Sequence, residues 1–302
     1  MTLASTTAPE CEPNPLHAAS YADRASQHRV VILENVQLAH DTYRVRLECP
    51  EIARQIVPGQ FIMMRLSGVN DPLLGRPLAL YDTVLGESGM PAALDIVYLT
   101  LGKMTRRLAR RCPGDELDVW GPLGNGFAPQ PTAHLILAAG GIGQTPFLAL
   151  AKEFLARKRY GDPPRIVPPA QRVTLCYGVR TAALLAGVSD FEAIGCDVRV
   201  SSDDGSVGHH GFVTDLVGQV LDETRGTERR VVCCGPEPMM EAVADLCRLN
   251  EVRCQVSLET PMACGIGICF SCVAKVRQPD GEWDYKRTCV EGPVFEAEQI
   301  VW

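Results

Sequence analysis

The sequence predicts a multidomain chain: an antiparallel β-barrel, then a doubly wound α/β domain on a parallel sheet, then a small C-terminal unit rich in cysteine. Three observations carry this. Between residues 29 and 127, short β-rich runs alternate with Gly, Pro, Asn and Asp, the pattern of a small barrel. From His134 apolar strands alternate with helices, the pattern of a parallel sheet. From Gln255 the chain is glycine-punctuated and carries CGIGICFSC at 264–272. The 302 residues accommodate two to three domains at about 100–200 residues each. The expected divisions are a tail over 1–27, a barrel over 28–128, an α/β domain over 129–253 and a cluster unit over 254–302.

Along the barrel, RVVILENVQLAHDTYRVRLE (29–48) gives two strands and a polar turn, and GQFIMMRL (59–66), RPLALYD (76–82) and AALDIVYLT (92–100) continue the pattern. A basic helix is expected from Thr105 to Arg111, then a last strand and glycine loop in PGDELDVWGPLGNGF (113–127). In the second unit, HLILAAGGIGQTPFLALAKEFLAR reads as strand, tight glycine turn and amphipathic helix. VTLCYGVR (173–180), DVRVSSDDG (197–205) and RRVVCCGP (229–236) read as strands, and FVTDLVGQVL (212–221) and MMEAVADLCRLN (239–250) as helices. No repeat of fixed period is visible.

Hydrophobic residues make up 46% and charged residues 22%, enough for real cores. The net charge of -7 argues against a nucleic-acid binder, which shows a basic face, and against an anionic membrane surface. The N-terminal stretch has no basic start followed by an apolar core, so no secretory signal is read and a cytoplasmic protein is expected. It is rich in Pro, Ala and Ser without periodicity, hence the flexible tail. LILAAGGIGQTPFLALA (135–151) falls short of a membrane span and contains three Gly, a Gln, a Thr and a Pro. Thirteen cysteines in a long chain without a signal point to metal or redox use for the clustered ones, and to core filling for most others.

The cluster spacing is Cys264-x4-Cys269-x2-Cys272, with Cys289 sixteen residues further on. This is the plant-type ferredoxin pattern for a [2Fe–2S] cluster. Two irons bridged by two sulfides need four thiolates from different sides. A wrapping loop supplies three, and Gly265 and Gly267 let backbone amides approach the sulfurs. Zinc and four buried small hydrophobes are the alternatives.

Gly140, Gly141 and Gly143 lie between a buried strand and a helix, where glycines let backbone amides approach a pyrophosphate. A mere tight turn would use them too. Cys234 and Gly235 end a later strand, on the edge where open α/β sheets bind ligands, though Cys234 also reads as a packing residue. Arg76, flanked by apolar residues, can pair with a phosphate, and Gly102-Lys103-Met104-Thr105 offers a second anion turn. Asp203 and Asp204 follow a strand of the α/β unit with no adjacent basic cluster. Carboxylates there repel a 2′-phosphate and favour NAD over NADP.

With barrel, nucleotide domain and cluster in this order, the chain resembles the ferredoxin-reductase superfamily. Within it, the chain is similar to the electron-transfer subunits of class B dihydroorotate dehydrogenase. The resemblance covers about residues 29–302 and rests on RPLALYD, LGKMT, AAGGIGQTPFLALA, SSDDGSVGHHGFVTDL, CCGPEPMM, SLETPMACGIGICFSC and CVEGPVF. It implies FAD on the barrel, NAD on the α/β domain and a [2Fe–2S] cluster held by Cys264, Cys269, Cys272 and Cys289. Implied FAD contacts are Arg76, Pro77, Leu78 and Ala79, then Val97, Tyr98 and Leu99, then Met104 and Thr105. The chain departs from the family at Ala79, where Ser is usual, and at Met104, where Gly is usual and a less open phosphate turn is expected here. The implied partner is a catalytic FMN-containing subunit that oxidises dihydroorotate in pyrimidine biosynthesis, assembled as a heterotetramer. Electrons then pass through the cluster and FAD to NAD+, with no acid–base catalytic residue in this chain. Subunits of hydrogenase, sulfite reductase or ferredoxin:NADP reductase complexes share the build, and a non-catalytic sensor is the reading from a different class.

Overall fold

The structure, a computed structural model, describes residues 22–302. The expected tail lies outside the described residues through residue 21, and Ser26 and Gln27 already belong to the first strand. In chain order the first unit contains β1 (Ser26–Ala39), β2 (Thr42–Glu48), α1 (Pro50–Gln55), β3 (Phe61–Leu66), β4 (Arg76–Ala79), β5 (Asp82–Leu85), β6 (Pro91–Leu99), α2 (Lys103–Leu108) and β7 (Glu116–Leu123). These strands form one antiparallel sheet in the order β4-β3-β7-β1-β2-β6-β5. Strand side chains alternate between faces, so Val45, Leu47, Leu94 and Ile96 point into one core while Arg44, Arg46 and Asp95 point out. The sheet curls until its ends meet, and the Tyr81 amide donates to the Asp95 carbonyl of β6 at 3.0 Å. Helix α2 starts at Lys103, two residues before the expected Thr105. The Thr105 hydroxyl accepts the Gly102 N–H at 3.2 Å and so fixes the earlier start.

The second unit contains β8 (His134–Gly140), α3 (Phe147–Phe154), β9 (Arg172–Val179), α4 (Val188–Ala193), β10 (Asp197–Ser202), β11 (His209–His210), α5 (Val213–Glu223), β12 (Arg229–Cys234), α6 (Glu237–Leu249) and β13 (Arg253–Ser257). The chain continues through a hairpin, β14 (Val273–Arg277) and β15 (Trp283–Arg287), to β16 (Val294–Glu296). The second sheet runs β11-β10-β9-β8-β12-β13-β16 and is parallel except for β16 against β13. The strand order reverses between β8 and β12, and such a switch point opens a ligand crevice at the carboxyl ends of the strands.

Helix α3 is amphipathic as expected, with Lys152 and Glu153 on its polar side, and Phe147, Leu148, Ala149, Leu150, Ala151 and Phe154 are all buried because the helix is wedged between sheet and barrel. The C-terminal segment is not a detached unit. Its first and last strands, β13 and β16, complete the α/β sheet.

The two large units share a core. Tyr81, Val97 and Phe127 of the barrel pack with Leu135, Phe147 and Leu148, and the Phe127 and Phe147 rings lie 6.1 Å apart. Beside this core, the buried Asp82 carboxylate receives Lys152 Nζ at 2.6 Å, Lys158 Nζ at 2.7 Å and the Tyr160 hydroxyl at 2.7 Å. Burial pushes the Asp82 carboxyl up, but Lys158 and Lys152 more than offset this, and its pKa ends below the ordinary value. Its folded pKa is therefore depressed. The stability it contributes is present above the unfolded carboxylate pKa and is lost as pH falls through the folded one. Asp82→Ala, which leaves two ammonium groups without their partner, is expected to lower the unfolding free energy by about 3 kcal/mol at neutral pH, measured by urea denaturation. The deficit relative to wild type should shrink as the pH is taken down through the carboxylate range.

Candidate cofactor and cluster site

The cysteine loop runs from the end of β13 to the start of β14 and lies against the barrel. Cys272 and Cys289 are buried, Cys264 is half-buried and Cys269 is exposed. The thiols stand as two pairs in hydrogen-bond reach, Cys264 with Cys269 and Cys272 with Cys289. Among the described residues, no three His, Cys, Asp or Glu side chains surround one point as a single ion would require. Two pairs match the need of two irons for two thiolates each. Gly265 and Gly267 adopt left-handed φ values of 75° and 84°, and the Ile266 N–H points at Cys264 Sγ at 3.4 Å. The Ser271 hydroxyl lies 3.2 Å from Cys269 Sγ, and this bond is the main reason the Cys269 pKa falls to about 6. A proton donated by Cys289 likewise lowers Cys272 to about 6 and raises Cys289. Iron binding needs all four cysteines as thiolates, so the Ser271 hydroxyl, which can still donate to Cys269 Sγ when Cys289 has lost its proton, is the donor that suits a cluster. Cys289 is brought to Cys272 by Thr288, whose N–H and hydroxyl both donate to the Cys272 carbonyl at 2.8 and 3.0 Å.

The loop is seated by β3 and β7. Phe61, Met63 and Leu123 pack with Cys272 and Cys289, and a Cβ on Gly265 would press on the Met63 side chain. The Trp120 indole N–H donates to the Cys264 carbonyl at 2.8 Å, a contact that no local motif announces. Strand β3 also carries β4 along its edge, in a register that sets Met63 opposite Pro77 and Phe61 opposite Ala79.

Strand β4, with Arg76, Pro77, Leu78 and Ala79, is half-buried along its length, and Leu73, Leu74 and Leu101 around it are exposed. Pairing of β6 with β5 stops at Asp95, so the Val97–Leu99 backbone edge faces the same gap. An apolar strip with free backbone groups and an arginine fits a flat ring bearing an anionic tail. Of the other sequence-predicted flavin contacts, Leu99 is half-buried, Val97 lies in the shared core, and the Tyr98 ring is buried with its hydroxyl on Asn35 at 3.0 Å. The Thr105 hydroxyl is committed to Gly102. Met104 points wholly into the barrel core, so its side chain does not narrow the turn as expected, and only its backbone is available there.

The sheet edge brings Gly140, Gly143, Cys234 and Gly235 together. A Cβ on Gly143 would collide with the Cys234 carbonyl, and one on Gly140 with Met239 and Pro236. Those two glycines serve the close crossing of the two halves of the sheet. Gly141, at φ 55°, has open space where a Cβ would be. Cys234 is buried at the strand end, hydrogen-bonded to Ser257. Asp203 and Asp204 are exposed beyond β10, and Asp204 is held by the Ser206 hydroxyl at 2.6 Å and amide at 2.9 Å. Arg180, an exposed residue just past β9 that sequence reasoning did not weigh, accepts the Asp204 N–H on its backbone carbonyl at 3.3 Å. Of the nine cysteines outside the cluster, Cys11 lies outside the described residues, Cys112 is exposed, and the other seven are buried and free.

Family models match the chain in three consecutive stretches: an oxidoreductase FAD-binding domain over residues 29–127, an oxidoreductase NAD-binding domain over 137–245, and the iron–sulfur cluster binding domain of dihydroorotate dehydrogenase B over 259–301. Among curated proteins, the electron transfer subunit of dihydroorotate dehydrogenase B (NAD(+)) from Desulforamulus reducens is 35% identical over 90% of this chain and 97% of its own length. Its counterpart from Geobacillus kaustophilus is 36% identical over 91% and 98%. Among solved structures, an NADH-dependent reduced ferredoxin–NADP oxidoreductase superposes with a TM-score of 0.72 at 28% identity, covering 90% of each chain. A ferredoxin reductase of carbazole 1,9a-dioxygenase shares the fold, with a TM-score of 0.62 at 21% identity, over 76% of this chain and 67% of that one.

Replacing Cys272 or Cys289 by Ser removes a thiolate from the buried pair. Both variants are expected to lose most of their iron while retaining flavin, measured as iron per FAD on anaerobically purified protein. Cys112→Ser, at an exposed position remote from the loop, keeps the wild-type ratio.

Proposed function

Because the chain belongs to the family of electron-transfer subunits of NAD-linked dihydroorotate dehydrogenase B, we propose that it takes electrons from a catalytic partner that oxidises dihydroorotate and delivers them to NAD+. The observation that supports this most is that the cluster loop and the flavin strand are both built on β3. A [2Fe–2S] cluster supplies one-electron transfer, and FAD joins two such electrons to a nicotinamide that accepts hydride.

Each part of the chain has a task in this reading. Cys264, Cys269, Cys272 and Cys289 hold the cluster, with Cys269 on the exposed side facing a partner. Arg76 pairs with the flavin phosphates. Pro77, Leu78 and Ala79 flank the ring, and the backbone of Val97, Tyr98, Leu99, Met104 and Thr105 completes that site. Ala79 leaves no hydroxyl near the ring, so backbone amides do the hydrogen bonding. Gly141 lets the nucleotide approach the sheet edge, the tight crossing of Gly140 and Gly143 on Cys234 and Gly235 shapes the crevice, and Asp203 accepts from a ribose hydroxyl. We assign the assembly as a heterotetramer with the FMN-bearing subunit, in the cytoplasm. Among the described residues no helix is long and apolar enough to cross a membrane. The sister complexes share the FAD and NAD units, but the C-terminal match is to the dihydroorotate dehydrogenase B cluster domain.

Anaerobic affinity purification of the tagged chain from its native cells, with mass spectrometry and a dihydroorotate-to-NAD+ assay, tests this reading. An FMN-bearing partner and orotate formation are expected. A different redox partner with no orotate formed would move the chain to a sister complex. NADH should show a lower KM than NADPH. Arg76→Ala, which removes a charged hydrogen-bond donor, is expected to weaken FAD binding by about tenfold to a hundredfold, measured by flavin release.

A further inference from the structure

Hydride transfer needs its two reacting atoms held about 3–3.5 Å apart. In this chain the flavin strand belongs to the barrel and the nucleotide turn to the α/β unit, so the contacts between the two units set that separation. The residues that follow the flavin motif make those contacts. Leu80 and Tyr81 come directly after Ala79 and are fixed to the barrel through their backbone, the Leu80 N–H on the Gln60 carbonyl at 3.1 Å and the Tyr81 N–H on the Asp95 carbonyl at 3.0 Å. The side chains of Tyr81 and Asp82 then reach across to the α/β unit. Asp82 receives Lys152 of α3 and Lys158 just beyond it. The Tyr81 hydroxyl donates to Asp190 Oδ2 on α4 at 2.6 Å. Two consecutive residues thus hold the helices that follow β8 and β9.

The Tyr81 contact lies against the nucleotide turn. A Cβ on Gly187, just ahead of α4, would stand 2.6 Å from the Tyr81 hydroxyl and 3.8 Å from Gln144 Nε2. Gln144 ends the 3-10 turn Gly141–Gln144, so the tyrosine, α4 and the glycine turn meet at one point. Gln144 is fully buried with neither amide atom hydrogen-bonded, so its side chain gives packing there and no polar tie. The hydrogen bond at this junction is that of Tyr81 to Asp190. The tyrosine ring is buried with Val97, Phe147 and Leu148, and burial, then the bond to Asp190, push its phenol far above the ordinary value, so the hydroxyl keeps its proton. Asp190 itself is half-buried and lines, with Arg44 and Lys152, a cavity of about 320 Å³ at the seam of the two units.

We infer that Tyr81 is a positioning residue for hydride transfer: its hydrogen bond to Asp190 sets the nucleotide turn against the flavin strand. It acts through the placement of the two units and not on the reacting atoms. Asp82 contributes the stability of the seam, and Tyr81 its alignment. The inference rests on the FAD–NAD reading above and not on the identity of the partner.

The test uses the full chain with FAD and cluster bound, mixed anaerobically with NADH in a stopped-flow instrument. Tyr81→Phe removes the hydroxyl and keeps the ring. Flavin bleaching at saturating NADH should slow by about tenfold, with the half-saturating NADH concentration unchanged. The long-wavelength charge-transfer band of reduced flavin with NAD+, which reports how the two rings stack, should weaken. FAD content, iron content and melting temperature should stay near wild type. Asp190→Ala should repeat the Phe variant, the double variant should be no worse than either single one, and Asp190→Asn, which keeps an acceptor, should recover most of the rate. Wild-type bleaching and a full band in Tyr81→Phe would overturn the inference. So would losses that multiply in the double variant, or a slow rate that merely follows loss of FAD. A wild-type chain whose flavin NADH does not bleach would strike the FAD–NAD reading itself, and the inference with it.

Discussion

Strand β3 is the constraint on which the electron path depends. One of its faces seats the cysteine loop through Phe61 and Met63, and its edge carries β4 with the flavin motif. Strand β4 pairs with β3 at the usual spacing of about 5 Å while the loop packs on β3 side chains, so two segments far apart in sequence are held by one strand. Trp120 on β7 adds a second tie, since its indole holds the Cys264 carbonyl while its ring packs under Gly75 at the head of the flavin strand. An electron relay needs fixed separation rather than mobility, and packing against a barrel wall gives it.

The third redox group is placed by a different device. The nicotinamide edge belongs to the parallel sheet, which is set against the barrel by the shared aromatic core and by the ammonium groups gathered on Asp82. The crevice is shaped by backbone packed on backbone, where Gly143 meets the Cys234 carbonyl. The segment that joins β13 to the cluster loop then crosses from the sheet to the barrel, where Leu258 N–H donates to the Pro293 carbonyl. One chain thus ties cluster, flavin strand and nucleotide edge together without a flexible linker among the described residues.

The barrel, the doubly wound sheet and the cluster-binding segment were legible in the sequence because each depends on local spacing. Strand alternation, strand–helix alternation and Cys-x4-Cys-x2-Cys are short-range patterns. What was not legible depends on contacts distant in sequence. Met104 looked like an obstacle in a phosphate turn, and only the barrel core explains why its side chain points away. The cluster segment looked separate because β16 returns to β13 across about forty residues. Trp120 acts through the Cys264 carbonyl, a partner that no motif links to it.

The central claim is that electrons move between nicotinamide and cluster only through flavin bound on β4. The direct test is the electron paramagnetic resonance signal of the reduced cluster after anaerobic addition of NADH, comparing the full chain with and without FAD at equal cluster content. The signal should appear in the FAD-bound chain and be absent from the FAD-free one. A signal without FAD, or none with it, would contradict the account.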